Sequence, residues 1–361
     1  MLAQERLARE ATNRCVVVSA RADGWRCVLL RTLGGGYLRC RAGGGAELEV
    51  APAEAAGSDE CMFEAATSGG FRHVLTGNVV AALPEGAKQE RGPDRLPSEL
   101  LADLAGEGLV CIPGLLAPAI CAELLRLARA TAQNLEVARL SPVHQIDHET
   151  PLVLRSKVAM NALANPVALW IIRNYLRCGF KFAHSPGFAI LQPGQGTTEE
   201  DSTQDWHADY PYHGRAMGEY STTFGSFPTE LPFGLQFNTC VTEFSPENGS
   251  TCFALNSALL CRPPNEAWNT PHPYAGPEAV QLRAPQGSVI LYDARTHHRN
   301  GINATDQHRV AILCSCIPTF IVDRRAHADV YDALAADKGG LWSQLTEREQ
   351  GEAGRLMAGK L

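Results

Sequence analysis

The chain has 361 residues, 45% of them hydrophobic and 20% charged, with a formal net charge of −7. That is an ordinary globular balance, long enough for one large domain and a smaller companion. No stripe of Lys and Arg is present and no apolar run approaches the roughly 20 residues that span a bilayer, which excludes nucleic acid and membranes as expected partners.

The N-terminus, Met1-Leu2-Ala3-Gln4-Glu5-Arg6, is charged and has no apolar h-region, so no secretory signal is expected. Twelve cysteines are scattered through apolar segments without a C-x-x-C pair, a pattern that fits small buried hydrophobes in a reducing, cytoplasmic setting. Residues 1–92 read as a small β-rich module: short apolar runs at Cys15–Val18, Cys27–Leu30, Tyr37–Cys40 and Glu47–Val50 alternate with glycine-rich breaks. The polar, proline-bearing stretch from Pro84 to Arg95 is the expected linker. A helix is expected from Pro97, with Ser98 as its cap and Leu100, Leu101 and Leu104 on its apolar face. A second is expected over Ala117–Leu135, and a third after Asn165-Pro166 with Leu169, Ile172, Tyr175 and Leu176 inward. Beyond Phe180 the chain turns strand-rich, with runs at Gly187–Leu191, Phe233–Phe237, Thr251–Leu255, Ser288–Tyr292 and Arg309–Ile317. Helices followed by strands predict an antiparallel sandwich or barrel buttressed by helices over residues 97–325. Residues 326–361 read as a helical extension on the surface.

The chemistry is expected at two stretches. In Gln204-Asp205-Trp206-His207-Ala208-Asp209-Tyr210, an imidazole and a carboxylate stand two residues apart, so an extended backbone turns both to one face. His298 follows the apolar strand Ser288–Tyr292 in a Gly/Asn-rich turn, and Arg309 enters the next strand. Two His and one carboxylate on one face of an ion, with the remaining positions open, suit non-haem Fe(II) oxygenase chemistry. A buried Arg near such a site needs a carboxylate or phosphate partner, and 2-oxoglutarate offers one: its ketoacid end chelates iron while its distal carboxylate meets the guanidinium. His297 rivals His298, but the spacing to Gly301 and Arg309 favours His298; His184, His213 and His308 are expected at the pocket edge or surface. Trp206, Tyr210 and Gln204 are candidates for the substrate pocket, and the polar segments 194–200 and 214–229 for lids over it.

Several motifs together resemble the phytanoyl-CoA dioxygenase family of Fe(II)/2-oxoglutarate oxygenases over about residues 98–320: Gly108–Gly114, Gln204–Asp209, Phe244–Gly249, Gly287–Leu291 and the run His298-x-x-Gly301-x-Asn303-x-Thr305-x-x-x-Arg309. The resemblance implies a double-stranded β-helix core (a cupin-like jelly roll), iron held by His207, Asp209 and His298, and 2-oxoglutarate held by Arg309 with help from Thr305, Asn238 and Lys157. It implies O2 as co-substrate and a small-molecule substrate. Asp209 fills the position that halogenases of this class leave to chloride, so hydroxylation or a related C–H oxidation is expected. Leu255-Asn256-Ser257-Ala258 departs from the family's usual Pro-Gly-Ser-His, on the substrate side. Gly36–Cys40 and Cys61–Glu64 also resemble part of a fascin-type β-trefoil. Two other readings stay open at this point: a cupin-like metalloenzyme that does not use 2-oxoglutarate, and a non-catalytic scaffold whose β module binds a partner.

Overall fold

The computed structural model describes residues 15–17, 27–32, 36–40, 48–65, 71–75, 79–80, 88–134, 145–146, 156–183, 186–194, 206–209, 232–260, 279–321, 328–337 and 339–358. Its centre is a pair of sheets. The larger contains β9 (Leu109–Ile112), β10 (Gln145–Ile146), β11 (Phe180–Phe182), β12 (Gly187–Leu191), β13 (Leu235–Cys240), β16 (Val289–Asp293) and β18 (Arg309–Pro318). They run in the order β10-β12-β18-β13-β16-β9, with β11 pairing on the far end of β18. The smaller sheet runs β1-β15-β14-β17, from β1 (Cys15–Val17), β15 (Ala279–Arg283), β14 (Cys252–Ala254) and β17 (His298–Arg299).

Strand alternation assigns each side chain of the large sheet to one of two cores. Phe188, Ile190, Phe237, Val289, Leu291, Val310 and Ile312 face outward into the main hydrophobic core. Ala189, Cys240, Ile290, Tyr292 and Ala311 face inward, against Phe244, Phe253, Val280 and Leu282 of the second layer. With both faces buried, these strands are continuous apolar runs rather than alternating ones. Two facing, mainly antiparallel layers with apolar side chains between them match the expected jelly roll.

The outward face is covered by α1 (Pro97–Glu107), α2 (Pro118–Asn134), α3 (Lys157–Leu163) and α4 (Pro166–Leu176). Asn165 caps α4, its side chain accepting from Val167 N (3.1 Å) and Ala168 N (3.3 Å). Ser98 does not cap α1. Pro97 takes the first helical position, Glu99 accepts from Leu96 N (3.2 Å), and Asp59 of the N-terminal segment accepts from Ser98 N (2.9 Å) and from its hydroxyl (2.5 Å).

The N-terminal strands β2 (Val28–Arg31), β5 (Phe63–Ala65), β6 (Phe71–His73), β7 (Val79–Val80) and β8 (Lys88–Arg91) form an open sheet ordered β7-β6-β5-β2-β8, beside a hairpin of β3 (Leu38–Cys40) and β4 (Leu48–Val50). This is not a trefoil arrangement. Nor is the segment spatially separate: β1 pairs in parallel with β15, and Cys27, Leu29, Tyr37 and Met62 belong to the same core as the helices. Gly57 shows how close the docking is, since a Cβ there would come within 2.2 Å of Pro166 O. The C-terminal helices α5 (Ala328–Ala336) and α6 (Glu347–Ala358) likewise bury Leu334, Ala353, Leu356 and Met357 in that core, so the tail is an integral layer rather than a surface addition. The ten cysteines whose side chains are described are free and mostly buried, and burial pushes thiols such as Cys111 up to about 12. No described helix is long and apolar enough to cross a membrane.

Candidate metal centre

Residues 206–209 lie along the start of β17. His207 N donates to His298 O (3.0 Å), His298 N donates to His207 O (2.8 Å), and Asp209 N donates to Ala294 O (2.8 Å). This backbone pairing brings two stretches 91 positions apart into fixed register. One candidate ligand atom from each of His207, Asp209 and His298 lies within 4.8 Å of the others. Asp209 Oδ1 is 3.8 Å from His207 Nε2, and its Oδ2 is 3.5 Å from His298 Nε2. Those gaps are too long for hydrogen bonds. Two atoms bound about 2.1 Å from one ion at a right angle stand about 3 Å apart, so a small closure of the cluster completes a first shell.

The surroundings set the chemistry of His298. Its Nδ1 lies 2.9 Å from Thr296 O, and a carbonyl can only accept, so Nδ1 carries the proton and Nε2 presents its lone pair to the cluster. Phe253 stacks on the ring at 6.0 Å and Tyr292 meets it edge-on at 4.9 Å. His297 is buried, its backbone N donating to Ser257 Oγ (2.8 Å); it lies outside the cluster, as alternation from His298 requires. His308 is exposed, whereas His184 and His213 lie outside the described residues.

Arg309 opens β18 opposite Leu191 and points into the interior, where it is 4% exposed. Its guanidinium donates to Gly249 O and lies 4.7 Å over the Phe244 ring. Among the described residues it has no ion pair, and its Nε has no hydrogen-bond partner. Burial pulls the guanidinium down to about 10, with the Cys240 thiol opposing weakly. A buried cation ordinarily carries a counter-ion, and none of the described residues supplies one, which suits this site to an external anion.

Asn238 is also on the inner face. Its side chain opposes the rise in the Tyr292 phenol's pKa, and its Oδ1 is buried without a partner. The Tyr292 hydroxyl in turn lies 3.4 Å from His298 Nε2. Burial pushes the phenol up, helped by the Asp209 charge, so it stays protonated beside the cluster. Sequence reasoning missed Tyr292 as a site residue; its parity with Ile290 on β16 was the available signal. It also missed the Tyr175–Asp293–Arg295 network beneath the 294–298 turn, where Tyr175 donates to Asp293 Oδ2 (2.6 Å) and Arg295 Nε and its terminal nitrogen reach the carboxylate at 2.8 and 2.7 Å.

Other expected residues are engaged elsewhere. Lys157 donates to Gln344 O (2.7 Å) and pairs with Glu349 (3.2 Å) on α6, and is not part of the cluster. Thr305 turns its hydroxyl onto Asn303 Oδ1 (2.6 Å), shaping the loop before Arg309. Trp206 is buried beside Ala254 and Ala279, with the Arg299 guanidinium 5.5 Å over its ring, so it packs the second layer. Gln204 and Tyr210 lie outside the described residues, as do most of the two expected lids.

No curated protein sequence matches the chain. Among solved structures, the non-heme alpha ketoglutarate dependent epimerase SnoN from nogalamycin biosynthesis is similar at 20% identity, with 65% of this chain and 89% of that chain covered and a TM-score of 0.48. The structure of SnoN in complex with Fe3+, alpha ketoglutarate and nogalamycin RO is similar at 19% identity, with the same coverage and TM-score (65%, 89% and 0.48). A family model described as Phytanoyl-CoA dioxygenase (PhyH) matches residues 105–311, which contain the three candidate ligands and Arg309. A match over more than half of the chain, reaching from the end of α1 into β18, places this protein in the phytanoyl-CoA dioxygenase family.

Proposed function

We propose that the protein is an Fe(II)- and 2-oxoglutarate-dependent dioxygenase that oxidises a C–H bond of a small molecule, with the chemistry housed in residues 97–325. The observation that carries this reading is the coincidence, inside one jelly roll, of the His207–Asp209–His298 cluster with a buried arginine that has no ion pair among the described residues. Two imidazoles and one carboxylate fit iron and leave the rest of its coordination open. Arg309 fits the distal carboxylate of 2-oxoglutarate: the anion would neutralise a charge already buried, and the unpartnered Nε supplies one arm of a two-point contact.

With iron bound, 2-oxoglutarate and O2 would supply the oxidising equivalents, the co-substrate leaving as succinate and CO2 while one oxygen atom enters the substrate. The chain's own work is positional. His207 and Asp209 are set by backbone pairing to 294–298, and that turn is braced by the buried Asp293–Arg295 pair. Thr296 O fixes the His298 tautomer. Tyr292 and Asn238 present a protonated hydroxyl and an open amide oxygen beside the cluster, where they would orient the co-substrate or substrate. Phe244 and Phe253 exclude water between the sheets.

The test is 2-oxoglutarate turnover by Fe(II)-loaded protein in air. Succinate formation that requires added iron and disappears in His298→Ala supports the proposal. Metal-loaded protein that never forms succinate, with or without candidate substrates, contradicts it.

A further inference from the structure

A cavity lies on the outward face of the large sheet, on the side of the main hydrophobic core. Its volume is about 320 Å³, and none of the candidate iron ligands nor Arg309 lines it. Its walls come from three parts of the chain: the N-terminal sheet, helices α2 to α4, and the C-terminal helix α6. Arg31, Arg91 and Arg348 lie outside the residues that match the family, so the flanking segments build most of its charge.

The charges in the wall do not cancel. Of its carboxylates, Glu90 and Glu349 are taken by Arg31 at 3.0 and 2.7 Å, Glu349 also by Lys157, and Glu352 pairs with Arg355. Arg173 and Arg348 are left without an ion pair among the described residues. Arg173 donates only to the backbone, at Ala53 O (3.2 Å) and Glu54 O (3.5 Å). Arg348 lies 5.6 Å over the Tyr37 ring, which Arg31 also approaches at 5.8 Å. Burial pulls both guanidiniums down, opposed by the Glu54 charge at Arg173 and by Tyr37, Cys61 and Glu54 at Arg348. Arg173 and Arg348 also repel Arg355, which burial and that repulsion bring down to about 10. The wall also has an apolar part, formed by Leu115, Leu116, Ile120 and Leu169, beside the polar Gln89, Asn161 and Asn165 and the Arg91 guanidinium.

We propose that this cavity is a binding site for a small organic anion, whose charged head sits between Arg173 and Arg348 and whose apolar body lies on Leu115, Ile120 and Leu169. The volume falls within the range of small-ligand sites, and the mixture of an apolar wall with a few convergent polar groups is their usual composition. The anion would tie the N-terminal sheet and α6 to α4, on the far side of the sheet from the metal centre.

Calorimetric titration of the full-length protein with phenyl phosphate, hexanoate and neutral phenol tests this. Binding of phenyl phosphate or hexanoate, weakened at least tenfold by Arg173→Gln or Arg348→Gln and unchanged in His207→Ala, supports the site and shows whether it prefers a phosphate or a carboxylate head. Neither anion binding, phenol binding equally well, binding that survives both arginine substitutions, or binding lost with His207→Ala overturns it. If an arginine variant does not fold, Gln89→Trp narrows the cavity from strand β8; unchanged anion binding in that variant also overturns the proposal.

Discussion

Replacing Arg309 by Met separates a structural arginine from one held for a ligand. Burial lowers its guanidinium from 12.5 to about 10. At about 1.4 kcal/mol per tenfold change in proton affinity, this corresponds to a cost of about 3 kcal/mol for keeping the charge inside with no ion pair among the described residues. The folded-state value lies below the unfolded one, so that cost is present in full at every pH below about 10. The substitution removes the cost but also removes the contacts to Gly249 O and the Phe244 ring, worth roughly 1.5–3 kcal/mol for a charge-assisted hydrogen bond. The apo protein should therefore keep its stability within about 1 kcal/mol. Affinity for 2-oxoglutarate should fall by roughly 2–5 kcal/mol, about 30-fold or more in Kd, since a buried two-point charge contact is lost. Calorimetry of metal-loaded protein without oxygen measures the second quantity, and urea denaturation of the apo form the first. The reasoning is refuted by the reverse pattern: unchanged 2-oxoglutarate binding with a large loss of apo stability.

Three further outcomes follow from the same geometry. Arg295→Ala leaves the fully buried Asp293 without its cation and should cost about 3–5 kcal/mol in urea denaturation, most of it recovered in Asp293→Asn combined with Arg295→Met; an exposed-pair cost below about 1 kcal/mol would contradict the burial argument. Gly249→Ala should destabilise the protein and weaken 2-oxoglutarate binding together. Its φ is +75°, and a Cβ would meet Asn303 N and Gly301 O at 2.8 Å, displacing the carbonyl that Arg309 uses; a variant with wild-type stability and binding would refute this. Burial lowers the pKa of His73, while the unfolded chain takes up a proton near pH 6.5. Stability should thus decline as pH drops below about 6.5, levelling off once the folded-state value is passed, and His73→Gln should show a shallower decline; identical slopes between pH 7.5 and 5.5 would count against it.

The strands of the large sheet were readable because both their faces are buried. Gly187–Leu191 is bounded to the residue, and Arg309–Pro318 within one position, since a continuous apolar run between turns leaves little latitude. The flanking segments were misread as appendages for the opposite reason. α6 has five charged residues in twelve, and its buried residues Ala353, Leu356 and Met357 declare themselves only in the folded chain, where α6 packs on α5 and on β11, the latter more than 150 residues away in sequence. The cap of α1 shows the same effect: a local rule chose Ser98, but a carboxylate from Asp59 reached the helix first.

The metal site was legible to the extent that it is local. His207 and Asp209 share a face by spacing alone, and the turn at 298–303 flags its own His. Asn238 was reached only through the family resemblance and Tyr292 was missed, because both lie inside apolar strands, where a polar side chain's role depends on which face the register gives it. Lys157 and Thr305 have suitable chemistry for 2-oxoglutarate, but Glu349 and Asn303 claim them. The unmatched charge of Arg309 is a property of packing, and no motif reports it.

The central claim is that His207, Asp209 and His298 hold iron with room left for a chelating co-substrate. The most direct measurement is anaerobic visible spectroscopy of Fe(II)-loaded protein titrated with 2-oxoglutarate. The account predicts a weak charge-transfer band that saturates at one equivalent per chain, is absent in His207→Ala, and needs a much higher 2-oxoglutarate concentration in Arg309→Met. Iron-loaded wild-type protein that develops no band, or His207→Ala protein that develops the same one, would contradict it.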